Sequence, residues 1–167
     1  MLPTSSSTSW VTGAKGKGRE AGTEMSKFVT KVEHLPSITE IETDASSLRA
    51  MLNILGLREL HLWDSRYFYC SHEDWGKVFA KVLLNMPKYT AERFDCSNFA
   101  MLASARTSEL FKLNTCGICI GQSPFGYHGF NLFISDAGLF YLEPQTGDIY
   151  SVEENSGYKT EIAIFGG

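Results

Sequence analysis

Apolar residues recur at helical spacing in three segments of the chain, 44–56, 71–87 and 95–113. A stripe of this period is typical of a helix that buries one face. The first segment has Asp44 as an N-cap and Gly56 as a stop, and Pro87 ends the second. The inward positions are Leu48, Met51, Leu52 and Leu55 in the first helix, Trp75, Val78, Phe79, Val82, Leu83 and Met86 in the second, and Phe99, Leu102, Ala103 and Leu110 in the third.

The remaining segments favour strands, because they are short, rich in aromatic and β-branched residues, and separated by Gly, Asp and Pro. Two of them, ELHLW and RYFYC, precede the second helix, and the others follow the third. Helices first and strands afterwards predict an α+β fold in which N-terminal helices pack on a C-terminal antiparallel sheet. The later strand segments are TCGICIGQ, GYHGFNLFIS, GLFYLEP, DIYSV and TEIAIFG.

Composition separates a tail from this body. Residues 1–26 are rich in Ser, Thr, Gly and Lys, and such a segment buries too little apolar surface to offset its ordering entropy. We therefore expect a disordered tail at 1–26 and a single domain at 27–167.

Charge and hydropathy exclude several function classes. A net charge of −4 gives no specific attraction to nucleic acid, and no apolar run is long enough for a membrane span. No secretory signal is visible, so we expect a cytoplasmic protein with reduced thiols.

The candidate chemistry lies in three residues, which are Cys96, His128 and Glu143. Asp95 caps the third helix and places Cys96 in its first turn, where exposed backbone N–H groups favour a thiolate. His128 opens one strand and Glu143 ends the next. A cysteine, a histidine and a carboxylate in this order are typical of a nucleophile, its base and the group that orients the base.

The hairpin register makes this arrangement testable. If the turn centres on Asp136 and Ala137, Glu143 lies diagonal to His128 on one face of the sheet. Asn131 then faces away from His128 and has a structural role. The two glycines near His128, Gly126 and Gly129, indicate a close backbone approach by a substrate or by another strand.

The segments around Cys96, His128 and Glu143 resemble those of a known enzyme family. The segments FDCSNFA, YHGFN and LFYLEPQTG, within residues 89–150, resemble the core of the transglutaminase-like branch of papain-like cysteine enzymes. Cys96 matches the nucleophile, His128 the base, and Glu143-Pro144 the Asp-Pro pair of that family, with glutamate in place of aspartate.

The resemblance implies a papain/transglutaminase-like core and a hydrolase or acyltransferase, such as a thiol protease or amidase. Such an enzyme would act on an amide, isopeptide or ester of a protein or peptide substrate. An oxyanion would need a second donor beside the Cys96 backbone N–H, and the candidates are Tyr89, Asn98 and Trp75. The alternative is a non-catalytic sugar- or peptide-binding module with Tyr127, Phe130, Tyr141 and Tyr150 lining a groove.

The other cysteines favour a structural role. Cys116 and Cys119 form a C-x-x-C pair in a strand segment, where they should point to opposite faces. A zinc site would need two more ligands, for which Cys70 and His72 are the available pair. We therefore expect buried thiols, with no metal and no organic cofactor.

Overall fold

The computed structural model describes residues 34–154 and 157–166. The tail predicted at 1–26 and the first residues of the domain predicted at 27–167 lie outside these ranges.

Within the described residues, three helices form where the apolar periodicity predicted them, and a side-chain cap fixes the start of each. The Asp44 carboxylate accepts the Ser47 backbone N–H at 2.8 Å, and the Ser71 hydroxyl accepts that of Asp74 at 3.1 Å. Gly56 has a φ of 59° and ends the 3₁₀ turn that follows the first helix. The helices are α1 Ala45–Leu52, α2 His72–Val82 and α3 Cys96–Phe111, and the 3₁₀ turn is Asn53–Leu55.

The predicted end of the second helix at Pro87 was wrong, since α2 ends at Val82. The reason lies on α3. The Arg106 guanidinium donates to the carbonyl oxygens of Val82 and Leu84, both at 2.9 Å. A cation from another helix therefore satisfies carbonyls that a longer α2 would have satisfied itself.

Eight strands form two sheets in the part of the chain that the structure describes. A six-stranded sheet has the order β2-β8-β4-β5-β6-β7, and a two-stranded sheet pairs β1 with β3. The strands are β1 Glu40–Asp44, β2 Glu59–Leu62, β3 Arg66–Cys70, β4 Cys116–Ser123, β5 Gly126–Ser135, β6 Gly138–Glu143, β7 Asp148–Ser151 and β8 Lys159–Phe165.

Apolar side chains cover both faces of the large sheet. On one face, Phe133 and Leu142 pack with the apolar sides of α2 and α3. On the other face, Phe130, Leu132 and Tyr141 pack with α1. Successive side chains along β5 and β6 alternate between these two cores, and each core holds a fully buried aromatic ring, Phe130 in one and Phe133 in the other.

The predicted fold, in which N-terminal helices pack on a C-terminal antiparallel sheet, was wrong. A strand that was not predicted, β1, precedes α1, and the early strand β2 joins the large sheet parallel to its partner β8. The patterns of residues 59–62 and 159–165 identify strands, but a pattern within one strand does not say which distant strand it will pair with.

A direct contact joins α3 to β5. A side-chain carbon added at Gly129 would lie 2.9 Å from Ser97 Cα and 3.0 Å from Ser97 N. These atoms belong to the backbone of the first helical turn, so they cannot swing aside as a side chain would.

We predict that Gly129→Ala lowers the free energy of unfolding by about 1–3 kcal/mol, because the added methyl group separates α3 from β5. Gly76→Ala is the matched control. Gly76 lies on the exposed side of α2 with nothing within 4 Å of the added carbon, and there alanine should be neutral or stabilising by up to about 1 kcal/mol. Urea unfolding measures both, and an unchanged midpoint for Gly129→Ala would contradict the contact.

Candidate functional site

A cleft of about 440 Å³ opens where the first turn of α3 meets the β4–β5 and β6–β7 turns. It contains five residues that the sequence analysis named as site candidates and three, Phe125, Gln145 and Thr146, that it did not assign to a site. The residues that line it are Tyr89, Cys96, Phe125, Tyr127, His128, Glu143, Gln145 and Thr146.

The N-terminus of α3 brings Cys96 to the cleft. Asp95 and Asn98 form a capping box, in which the Asp95 carboxylate accepts the Ser97 N–H and the Asn98 side-chain oxygen accepts the Asp95 N–H, both at 3.1 Å. Cys96 is half-buried. Ser97 packs directly against Gly129. Cys96 precedes Ser97 and His128 precedes Gly129, so both Cys96 and His128 line the same cleft.

The close approach at Gly129 therefore comes from a helix. The sequence analysis expected a substrate or a strand close to both Gly126 and Gly129, and that expectation was wrong. Nothing lies within 4 Å of a side-chain carbon added at Gly126, and the neighbour of Gly129 is the first turn of α3. The missing side chain was the correct signal, although it does not identify the partner.

His128 and Glu143 form a buried pair. The His128 Nε2 atom lies 2.6 Å from Glu143 Oε2, and their side chains are 10% and 3% exposed. Ser135 pairs with Gly138 and Asn131 with Leu142, which is the register expected for a turn at Asp136 and Ala137. The two side chains accordingly lie diagonally on one face.

Three further donors hold the Glu143 carboxylate. Its Oε1 atom accepts the Gln145 backbone N–H at 3.2 Å and the Gln145 side-chain amide at 3.5 Å, and its Oε2 atom accepts the Tyr158 hydroxyl at 3.1 Å. Burial by itself would raise the pKa of Glu143, but the hydrogen bonds from His128, Gln145 and Tyr158 and the charge of His128 outweigh it. The pKa of Glu143 is therefore lowered, and the carboxylate is ionised near neutral pH.

The oxyanion candidates lie in different surroundings. Tyr89 is in the cleft wall with its side chain 52% exposed. The Asn98 side-chain oxygen is used in the cap of α3. Trp75 is fully buried and donates its indole N–H to the Ile134 carbonyl at 2.6 Å, so Trp75 belongs to the core.

Asn131 has the structural role that was expected of it. It is fully buried, and its amide donates to the carbonyl oxygens of Ala100 and Gly117 at 2.9 and 3.1 Å. It thereby links α3 to the sheet a short distance from the cleft.

All four cysteines are free thiols, and only Cys96 reaches the cleft. Cys116 and Cys119 lie in the cores on opposite faces of the sheet, as strand alternation predicted. Burial raises the pKa of Cys70 and of Cys116 to about 12 and raises that of Cys119 further. Within residues 34–154 and 157–166, no three His, Cys, Asp or Glu side chains are grouped to hold a metal ion.

The aromatic residues of the binding-module alternative separate into two groups. Tyr127 lines the cleft and is 57% exposed, whereas Phe130 and Tyr141 are core residues and Tyr150 packs against the same core. Phe125, in the β4–β5 turn, is 73% exposed and also lines the cleft. Sequence reasoning missed it because a single aromatic residue in a turn carries no periodic signal.

Comparison with known proteins identifies the fold. No protein-family model matches the sequence, and no curated protein sequence does either. A solved structure described as a PSL1a–E64 complex is similar over 74% of this chain, with a TM-score of 0.61 and 23% identity. A Polyporus squamosus lectin bound to the glycan Neu5Acα2-6Galβ1-4GlcNAc is similar over 74% of the chain, with a TM-score of 0.58 and 22% identity. This chain spans 51% and 49% of the lengths of those two.

These structures overturn the family assignment. The papain/transglutaminase-like core was wrong, and so were the hydrolase, thiol-protease and catalytic-triad assignments that depended on it, because the similar fold is that of a lectin. Motifs of five to nine residues matched the enzyme family locally without specifying the rest of the fold. The comparisons favour the alternative of a binding module, and the named ligand of the lectin is a glycan, not a protein or peptide.

No helix within the described residues is long and apolar enough to cross a bilayer.

We predict that Glu143→Gln reduces the free energy of unfolding at neutral pH by about 1.5–3 kcal/mol, the usual contribution of a hydrogen bond to a charged group. A carboxylate whose pKa is lowered in the folded state stabilises the protein above its unfolded pKa of about 4.3, and this contribution is lost as pH falls through the folded value. The free energy of unfolding of Glu143→Gln should therefore fall less than that of wild type as the pH is lowered. Glu109→Gln, at an exposed position on α3, is the control. Urea unfolding between about pH 3 and 7 measures both, and an unaltered acid limb in Glu143→Gln would contradict the assignment.

Proposed function

We propose that the protein binds a carbohydrate in the cleft between α3 and the β4–β5 turn. The observation that carries this proposal is the group of exposed aromatic rings, Tyr89, Phe125 and Tyr127, around a buried polar pair. Large exposed rings grouped at one cleft are typical of a ligand site. The glycan bound by the structurally similar lectin supports the same class of ligand.

The polar groups of the cleft suit sugar hydroxyls. The apolar C–H face of a pyranose can stack on Phe125 or Tyr127, while its hydroxyl groups bond to Gln145 and Thr146, which are exposed beside the rings. The His128–Glu143 pair, whose side chains are 10% and 3% exposed, forms the buried polar part of the cleft wall.

The charge of the cleft favours an uncharged sugar. None of the described residues that line it is a Lys or an Arg, and Glu143 is an anion. A sugar carboxylate would meet this anion without a permanent cation to compensate it.

We predict that wild-type protein binds neutral oligosaccharides more tightly than their sialylated counterparts, and that Phe125→Ala weakens binding about tenfold through the lost ring contact. Trp63→Ala is the matched control, because Trp63 is 64% exposed and lies outside the cleft. A glycan array followed by calorimetry measures the affinities. Absence of glycan binding, or equal affinities of Phe125→Ala and wild type, would contradict the proposal.

As a second function, we propose that Cys96 is a reactive thiol that passes its proton to His128 when it is alkylated, while Glu143 orients His128; no hydrolase or thiol-protease activity is part of this proposal. The specific observation is the 2.6 Å pair of His128 and Glu143 in the same cleft as the half-buried thiol. This proposal concerns the reactivity of one sulfur atom and does not depend on the family assignment.

We predict that iodoacetamide alkylates Cys96 faster than a free thiol at about pH 6.5, because His128 accepts the thiol proton as sulfur displaces iodide. His128→Ala should slow the reaction about a hundredfold, the lower range of general-base effects. His61→Ala, at a surface position paired with Glu59, is the control. Mass spectrometry measures the rate at Cys96, since the other cysteines are buried. Equal rates for wild type and His128→Ala would contradict the proposal without affecting the sugar site.

A further inference from the structure

We infer that Tyr158 is a positioning residue that holds Glu143 in the orientation in which it meets His128. The Tyr158 hydroxyl lies 3.1 Å from Glu143 Oε2, the same oxygen that lies 2.6 Å from His128 Nε2. Tyr158 precedes β8 and does not line the cleft. Any effect of Tyr158 on the cleft is therefore transmitted through Glu143.

The direction of this hydrogen bond is fixed by chemistry. An ionised carboxylate has no proton to donate, so the phenol must be the donor. Burial raises the pKa of Tyr158, and the charge of Glu143 raises it further, so the phenol keeps its proton at neutral pH. The donor is therefore present whenever Glu143 is ionised.

The ring of Tyr158 is held by aromatic neighbours from three different strands. Its centroid lies 4.9 Å from that of Phe130, 5.6 Å from that of Tyr141 and 5.4 Å from that of Tyr150. A ring packed on several sides has little rotational freedom. The hydroxyl consequently reaches Glu143 at a fixed position.

Together, two anchors prevent the carboxylate from rotating. Tyr158 holds Oε2, and the Gln145 backbone N–H holds Oε1. His128 then meets a carboxylate of fixed orientation, which in turn fixes the plane of its ring. The consequence for Cys96 rests on the proposed thiol function, whereas the geometry of the His128–Glu143 pair does not.

The test is Tyr158→Phe, which keeps the packed ring and removes the hydroxyl. The first readout is the NMR signal of the His128 Nε2 proton in its hydrogen bond to Glu143, and we expect it to move upfield or to broaden as the carboxylate gains freedom. The second is the alkylation rate of Cys96, which should fall severalfold. Tyr150→Phe is the matched control, since Tyr150 stacks on Tyr158 and its loss of a hydroxyl should leave the His128 signal in place.

A His128 signal in Tyr158→Phe identical to that of wild type would overturn the inference. A His128 signal that moves as far in Tyr150→Phe would also overturn it, because the effect would then come from the aromatic cluster in general. A moved signal with a Cys96 rate that is already insensitive to His128→Ala supports the positioning role and removes the thiol function instead. A failure of the positioning role and a failure of the proposed thiol function thus give different results.

Discussion

The site depends on the close approach of the first turn of α3 to the backbone of β5 at Gly129. Any side chain there would lie within 3.0 Å of Ser97 backbone atoms, so the helix and the strand can meet at this distance only because residue 129 has none. This contact places a helix N-terminus beside the strand residue His128. The cleft exists because the turns after β4 and β6 extend past that contact.

The second constraint is the burial of a charged group. Glu143 is 2% exposed, and an ionised carboxylate at such a depth is costly unless its oxygens have partners. Donors from His128, Gln145 and Tyr158 provide them. The same hydrogen bonds that stabilise the charge also remove its freedom to rotate. A rigid pair suits both proposed functions, since it offers a fixed surface to a sugar and a fixed base to a thiol.

Much of the local structure was predictable from the sequence. Asp44 and Ser71 start helices because their side chains accept N–H groups of the next turn, and this capping depends on a few neighbouring residues. The end of α2 was not predictable, since Arg106 reaches it from another helix. Nor was the parallel pairing of β2 with β8, which joins segments far apart in the chain. The family assignment failed for a related reason: short motifs describe a site's outline, whereas the fold around it is set by the whole chain.

The sequence by itself determined that His128 and Glu143 share a face of the sheet. Turn chemistry at Asp136 and Ala137 fixes the register, and strand alternation does the rest within one hairpin. Long-range packing, by contrast, determines that a helix covers Gly129, that Phe125 remains exposed at the cleft, and that Tyr158 reaches Glu143. The physical reason is the distance along the chain over which each interaction acts. Caps, turns and alternation act between near neighbours, but these three features arise from packing among segments whose mutual positions no local pattern records.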